Sequence, residues 1–257
     1  MGLLRPLLER ASRGRVLRRR LPPEHGGRRL YVTPDAALGL WRPGLADADP
    51  LLLRLAAELV PRGAVVWDVG ASIGLFAFAA AFRAGPAGEV LAVEADDWLA
   101  GLLRRSAAER APGSSPVQVL ALAVSDEDGV ADFSIARRGR SASHLAAVPG
   151  SSQAGGARET RRVRTATLDT LLQTFRPPDL VKIDVEGAEA RCLRGAERLL
   201  AEIRPVLLCE VARENAGPVG ERLARHGYRL HDAAAPPGGR RPLAAPAWNT
   251  LALPALG

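Results

Sequence analysis

From residue 51 onward the chain runs through two rhythms of apolar and polar positions. Leu51–Val60 repeats its apolar side chains at helical spacing, with Asp49 as an N-cap and Pro50 in the first turn. A buried strand at Ala64–Val69, a helix at Ile73–Arg83, a strand at Glu89–Glu94, a helix at Trp98–Arg110 and a strand at Val117–Ala123 follow. Strand and helix alternating at this pace predict parallel pairing through right-handed crossovers, hence a doubly wound α/β sheet with helices on both faces. The rhythm then lapses. Val130–Ile135 and Arg161–Thr165 read as strands, and between them residues 136–160 are rich in Gly, Ser and Arg with little periodicity, which reads as a flexible lid or binding loop or as plain disorder. Order returns with Thr167 capping a helix at Leu168–Phe175, ended by Pro177-Pro178, and a strongly apolar strand at Leu180–Val185. A helix at Ala188–Ile203, a strand at Val206–Val211, a helix at Gly217–His226 and strands at Tyr228–His231 and Trp248–Leu253 complete the pattern, with no internal repeat.

The first 30 residues differ. Leucines at 3, 4, 7, 8 and 17 among many arginines predict a basic amphipathic helix within residues 2–20, able to dock on the body, on an acidic partner or on an anionic membrane surface, or else a solvated arm. Pro22-Pro23 and Gly26-Gly27 break the chain before a short strand at Arg29–Thr33. We therefore expect an arginine-rich arm at 1–30 and one domain at 31–257. This segment holds nine arginines against Glu9 and Glu24, whereas the remaining 26 basic and 26 acidic residues cancel, so the high isoelectric point does not describe the body. A body without net positive charge has little to follow a phosphate backbone. Absence of a long uncharged apolar run argues against a membrane span, and arginines after only a few leucines argue against a secretory signal, so a cytoplasmic protein is expected. Cys192 and Cys209, without CxxC spacing, read as two buried thiols.

Candidate chemistry concentrates in two segments. Val65-Val66-Trp67-Asp68-Val69-Gly70-Ala71-Ser72-Ile73-Gly74 lies where a strand turns into a helix, a place where glycines let backbone approach a ligand and the helix start offers free N–H groups. Its G-x-x-x-G spacing departs from the dinucleotide pattern G-x-G-x-x-G. Asp68 before the first glycine would repel a diphosphate but attract the ammonium of a methionyl group, so S-adenosylmethionine fits better than NAD. Glu94, ending the next strand, is placed to accept both ribose hydroxyls of either nucleotide. In the second segment, Leu180–Glu189, a period of two puts Lys182, Asp184 and Glu186 on one face, at the strand end where open α/β sheets bind ligands. Close carboxylates raise one another's pKa and so allow a proton-accepting role; the alternative is a structural ion pair between Lys182 and Asp184.

DVGASIG at 68–74, VEA at 93–95, AVSDEDG at 123–129, TLDTLL at 167–172, VKIDVEGAE at 181–189 with the following LRGAERLL, PVLLCEV at 205–211 and NTLALP at 249–254 together resemble the FkbM-type methyltransferases. The resemblance implies a class I S-adenosylmethionine-dependent methyltransferase: a Rossmann-like, mostly parallel sheet of about seven strands, the last antiparallel. It implies that Asp68, Gly70 and Gly74, with Ala71 and Ser72 between them, hold the methionyl part, Glu94 the ribose, and Ser125 and Asp126 the adenine edge. Ser72 stands where the family usually has Asn and Ala95 where it usually has Pro.

Methyl transfer is an in-line displacement that needs an aligned nucleophile and a proton acceptor. Asp184 is the first candidate for the base and His144, on the 136–160 loop, the second, with Glu186 and Glu210 orienting the substrate. Asp184 with Glu186 or Glu210 could hold a hard divalent cation, though nothing requires one and no metal site is expected. With 4% aromatic residues the chain suits a sugar, polyol or other small hydroxylated acceptor better than a large flat one. Nucleic-acid methylation is disfavoured: Lys182 is the only lysine, where one large class of ribose methyltransferases needs two, and no Asn/Asp-Pro-Pro-aromatic run follows the fourth strand. An NAD(P) oxidoreductase would want G-x-G-x-x-G and a Tyr-x-x-x-Lys pair, both missing; a non-catalytic nucleotide-binding module remains the third alternative.

Overall fold

The computed structural model describes residues 4–109, 111–148 and 154–255. It begins with helix α1 (Leu4–Ser12), followed by the strands β1 (Leu17–Arg20) and β2 (Arg29–Val32), paired antiparallel. The helix expected across residues 2–20 thus stops at Ser12, and the expected arm boundary at residue 30 falls inside a hairpin. Leu21, Leu30 and Val32 are buried in the main core, and the Arg28 guanidinium donates to the carbonyls of Ser106 (2.9 and 3.2 Å), Ala107 (2.7 Å) and Glu109 (2.9 Å).

Helix α2 (Pro50–Leu59) is capped by Asp49, whose carboxylate accepts from Leu52 N at 2.8 Å. Then come β3 (Val65–Val69), α3 (Leu75–Ala84), β4 (Glu89–Glu94), α4 (Asp97–Ala107), β5 (Val117–Ala121) and β6 (Ala123–Val124). The expected end of the fourth helix at Arg110 lies outside the described residues. Arg28 supplies a cation where α4 leaves its last carbonyls unpaired, the end at which the helix dipole favours positive charge. β7 (Gly129–Ala136), β8 (His144–Leu145) and β9 (Ala157–Ala166) build a second, four-stranded sheet in the order β6-β9-β7-β8. The loop expected to be unstructured is therefore partly ordered: residues 140–142 form a 3-10 turn and β8 pairs with β7.

The chain closes with α5 (Leu168–Leu171), β10 (Leu180–Ile183), α6 (Glu189–Arg194), a π turn at Leu199–Ile203, β11 (Val206–Glu210), α7 (Ala216–Arg225), β12 (Tyr228–Asp232) and β13 (Asn249–Pro254). The single helix expected at Ala188–Ile203 is broken. A Cβ on Gly195 would lie 2.4 Å from the Ser125 carbonyl, and the Asp169 carboxylate accepts from Arg198 N and Leu199 N (2.9 Å each), starting a new turn.

The main sheet runs β12-β13-β11-β10-β3-β4-β5, parallel except for β13, which is antiparallel to both its neighbours. Alternation along β3 sends Val66 into the core under α2, α3 and α4, and Val65, Trp67 and Val69 into the core under α5, α6 and α7. Successive strands are added in opposite directions from β3 and β10, so the crevice between them at their carboxyl ends is the natural ligand site.

Candidate active site

At the end of β3 the chain turns sharply. Gly70 (φ +76°) and Ala71 both donate to the Val93 carbonyl on β4 (2.9 and 3.0 Å), and Ser72 adopts φ +50°, unusual for a residue with a Cβ. That turn points Ser72 N–H at Glu94 Oε2 (2.7 Å), while Glu94 Oε1 accepts from Asp96 N (2.8 Å). Each carboxylate oxygen keeps a free lone pair on the side of a cleft of about 640 Å³, lined among others by Val93, Leu99, Phe133 and Leu145. Burial lifts the Glu94 carboxyl to about 7, against the pull of those two N–H groups. Arg140 closes the outer wall: its guanidinium binds both oxygens of Asp96 (2.5 and 3.1 Å), approaches Asp35 at 3.6 Å and lies over the Trp98 ring. Beside it, Ser141 Oγ meets Ser72 Oγ at 3.0 Å.

Gly70 is fixed by the neighbouring strand as much as by any ligand. A Cβ there would come 1.7 Å from the Asp184 carbonyl, so the ends of β3 and β10 touch only because residue 70 has no side chain. Beyond Ile183 the strand period is lost: Asp184 N still donates to Val69 O (3.0 Å), but Glu186 takes φ +50° and Gly187 φ +99°, turning the chain back. Glu189 and Asn215 hold this turn, Glu189 accepting from Gly187 N (2.7 Å) and Asn215 Nδ2 donating to Gly187 O (2.8 Å) and to Glu189 (2.5 Å). Lys182 is buried and bridges both carboxylates of interest: Nζ lies 3.1 Å from Asp68, 3.3 Å from Asp184 and donates to Gly70 O at 2.9 Å. The two readings of Lys182 thus merge, since its structural pairing also sets the position of Asp184. Asp68 is wholly buried, and besides Lys182 only the Ala77 backbone N–H comes near enough to stabilise its charge, without a well-aligned hydrogen bond; burial pushes its carboxyl up, opposed by Lys182. Burial and then Asp184 raise Glu186 to about 8 and Glu210 to about 7.

The sequence profile of the methyltransferase FkbM domain matches residues 68–230, well over half of the chain and spanning both segments just described. The chain belongs to the FkbM methyltransferase family. Members of this family are S-adenosylmethionine-dependent methyltransferases. No curated protein matches it. Among solved structures, an FkbM methyltransferase from Methylobacillus flagellatus KT is 16% identical over 74% of this chain, with a TM-score of 0.46, and this chain spans only 42% of that one. TrmN from Thermus thermophilus is 21% identical over 88% of this chain and 49% of its own (TM-score 0.40). Fibrillarin from Aeropyrum pernix, solved with natively bound S-adenosyl-L-methionine, is 14% identical over 78% and 75% (TM-score 0.44).

Within the FkbM span, Asp68, Gly70, Ala71, Ser72, Glu94, Lys182, Asp184 and Glu186 converge on the crevice. Three expected cofactor contacts and one expected catalytic residue do not. Gly74 begins α3 at φ +84° with Phe78 and Leu103 packed where a Cβ would sit, so its freedom serves the core. Leu122, Ala123 and Val124 line the cleft, whereas Ser125 and Asp126 follow beyond it. Asp126 is engaged by Arg191 (2.9 Å) and Arg194 (2.8 Å); burial, the largest single influence, pushes its carboxyl up, but the hydrogen bonds from Arg194, Arg191 and Ser125 together hold it well below the usual range. His144 alternates away from the cleft: Ser143 and Leu145 line it, and His144 Nδ1 contacts the Ala142 carbonyl at 3.2 Å. Among the described residues no group of three or more His, Cys, Asp or Glu side chains is disposed to hold a metal ion. The sequence reading missed Arg140 and Asp96, whose only signal was an acidic pair after Glu94, and Asn215, which carried none.

Proposed function

We propose that this FkbM-family protein methylates a hydroxyl of a small molecule, a sugar or polyol being the favoured acceptor. S-adenosylmethionine, when bound, supplies a methyl group on a positively charged sulfur. The residues fit it: Glu94 offers two lone pairs for vicinal hydroxyls, and the buried Asp68 carboxylate, short of hydrogen-bond donors, suits an ammonium group.

The observation that carries the reading is the position of Asp184. It borders the nucleoside cleft, a second cleft of about 680 Å³ beside Asp68, and a smaller one of about 360 Å³ reaching Glu210 and Asn249. A carboxylate at that junction can accept the proton of an acceptor hydroxyl arriving from the side opposite Glu94, while Lys182 fixes its direction. No helix among the described residues is long and apolar enough to cross a membrane.

The test is calorimetric titration with S-adenosylmethionine, S-adenosylhomocysteine and NAD, followed by a screen of hydroxylated acceptors for S-adenosylhomocysteine release. Binding of the first two ligands that weakens sharply in Glu94→Ala is expected. In Asp184→Asn, turnover should fall about 100-fold or more with little change in S-adenosylhomocysteine affinity. Binding of NAD alone would defeat the proposal, and full activity in Asp184→Asn would remove Asp184 from its role.

A further inference from the structure

A larger opening of about 1090 Å³ adjoins the crevice. Glu186 and Ser141 form part of its wall and of the nucleoside cleft's wall, so the two spaces are neighbours that share these residues, Glu186 lying two positions along the chain from Asp184. Its far side is α1 and the Pro34–Leu38 segment, and Arg137 and Arg138 stand along one edge.

Most charges in this opening are already answered. Arg5 pairs with Glu9 at 2.9 Å, and Asp35 is clasped by Arg158 at 3.2 Å and approached by Arg140. Glu186, raised to about 8, is uncharged at neutral pH. Arg137 and Arg138 are different: both are exposed, and neither meets a carboxylate among the described residues. Their backbone is nonetheless fixed, Arg137 N donating to Gly156 O and Arg138 N to Ala154 O, each at 2.9 Å. The stem of Arg138 crosses Gly155 so closely that a Cβ there would lie 2.8 Å from it. Two uncompensated guanidinium groups on an anchored edge, lining a cavity that adjoins the one bordered by the base, form a receptor for carboxylate or phosphate oxygens.

Resting on the methyl-transfer reading above, the geometry points to an acceptor that carries an anionic group, a phosphate ester or a carboxylate, which Arg137 and Arg138 bind while its hydroxyl reaches Asp184. The neutral part of such an acceptor lies between the two and is held by Ser141 and the Pro34–Leu38 backbone.

The experiment titrates S-adenosylhomocysteine-loaded protein at pH 7 with glucose, glucose 6-phosphate and glucuronate. The same titrations are made on Arg137→Gln/Arg138→Gln and on a control pair at the far sheet edge, Arg225→Gln/Arg229→Gln. At least tenfold tighter binding of an anionic sugar than of glucose is expected, lost in the first double variant and kept in the control. The ranking of phosphate against carboxylate identifies the group. Equal binding of charged and neutral sugars, or a preference that survives Arg137→Gln/Arg138→Gln, overturns the proposal. Unchanged S-adenosylhomocysteine affinity in that variant shows an intact fold. If S-adenosylhomocysteine fails to bind while the anion preference persists, the methyl-transfer reading falls and the arginine subsite stands.

Discussion

Glu94 should make cofactor affinity depend on pH, with a sign and a size that follow from its surroundings. Its carboxyl is raised to about 7 because burial outweighs the two backbone N–H groups that stabilise the anion. Both ribose hydroxyls need acceptors, and a protonated carboxyl offers one acceptor fewer and adds a competing donor. The ligand therefore selects the ionised form, and binding releases a proton below pH 7. Affinity for S-adenosylhomocysteine should rise from pH 5 to about 7 and flatten above it. A hydrogen bond to an ionised acceptor is worth roughly 1–1.5 kcal/mol more than one to a neutral acceptor, so for two hydroxyls the full rise should lie between about 30-fold and 150-fold. Calorimetry at half-unit steps from pH 5 to 8, repeated in buffers of different ionisation enthalpy, measures both the slope and the proton released. Glu94→Gln should bind weakly at every pH and with a flat profile; because Glu186 and Glu210 remain in that variant, it isolates the Glu94 contribution. A flat or falling profile in the native protein, or an undiminished slope in Glu94→Gln, would refute the reasoning.

Three further outcomes are expected. Lys182→Ala leaves Asp68 and Asp184 without their shared cation and should cost about 3–5 kcal/mol, a fall in Tm of roughly 6–20 °C by scanning calorimetry; a loss below about 1 kcal/mol would mean that solvent already screens the triad. Gly70→Ala should lower Tm strongly and abolish S-adenosylhomocysteine binding, since the new Cβ must displace the Asp184 carbonyl, and a well-folded, ligand-binding Ala variant would contradict that contact. Without ligand, Glu94, Glu186 and Glu210 hold protons that the unfolded chain gives up near its ordinary value of 4.5, so stability from these groups is greatest below that pH and declines up to about 7–8. Urea unfolding should accordingly show a lower midpoint at pH 8 than at pH 5.5, and the opposite order would mean that these carboxyls are not raised.

What could be read from the sequence was what repeats. β3, α3, β4 and α4 follow one period per element, and the capping residues Asp49 of α2 and Thr167 of α5 act where the pattern put them. The Glu94 position was legible because it follows from strand length alone. Of the hairpin only β2 was legible, as the short strand at Arg29–Thr33; β1 was hidden because three consecutive arginines in Arg18–Arg20 erase the alternation that marks a half-buried strand. Arg140 could not be singled out from Arg137 and Arg138: three arginines of one loop differ only in what folding puts beside them, an Asp96 carboxylate for one and open space for the others. Ser125 and Asp126 were assigned by likeness to a motif, and the arginines of α6 that engage Asp126 lie 65 and 68 residues further along the chain.

The hairpin also decides where this protein can be cut. Of the nine arginines before residue 31, five belong to the segment that starts at Leu17, and one of them, Arg28, closes the end of a core helix. A deletion through residue 30 would take Leu21 and Leu30 out of the interior and remove the guanidinium that binds the Ser106, Ala107 and Glu109 carbonyls, so any binding it abolished would report collapse rather than lost charge. A shorter deletion ending at Arg15 removes α1 with Arg5, Arg10, Arg13 and Arg15 and keeps the hairpin and Val16, which packs on the main core, at the cost of one wall of the larger opening. The basic character of the amino terminus is thus two properties with a border at Arg15: one part walls the larger opening, and the other is masonry.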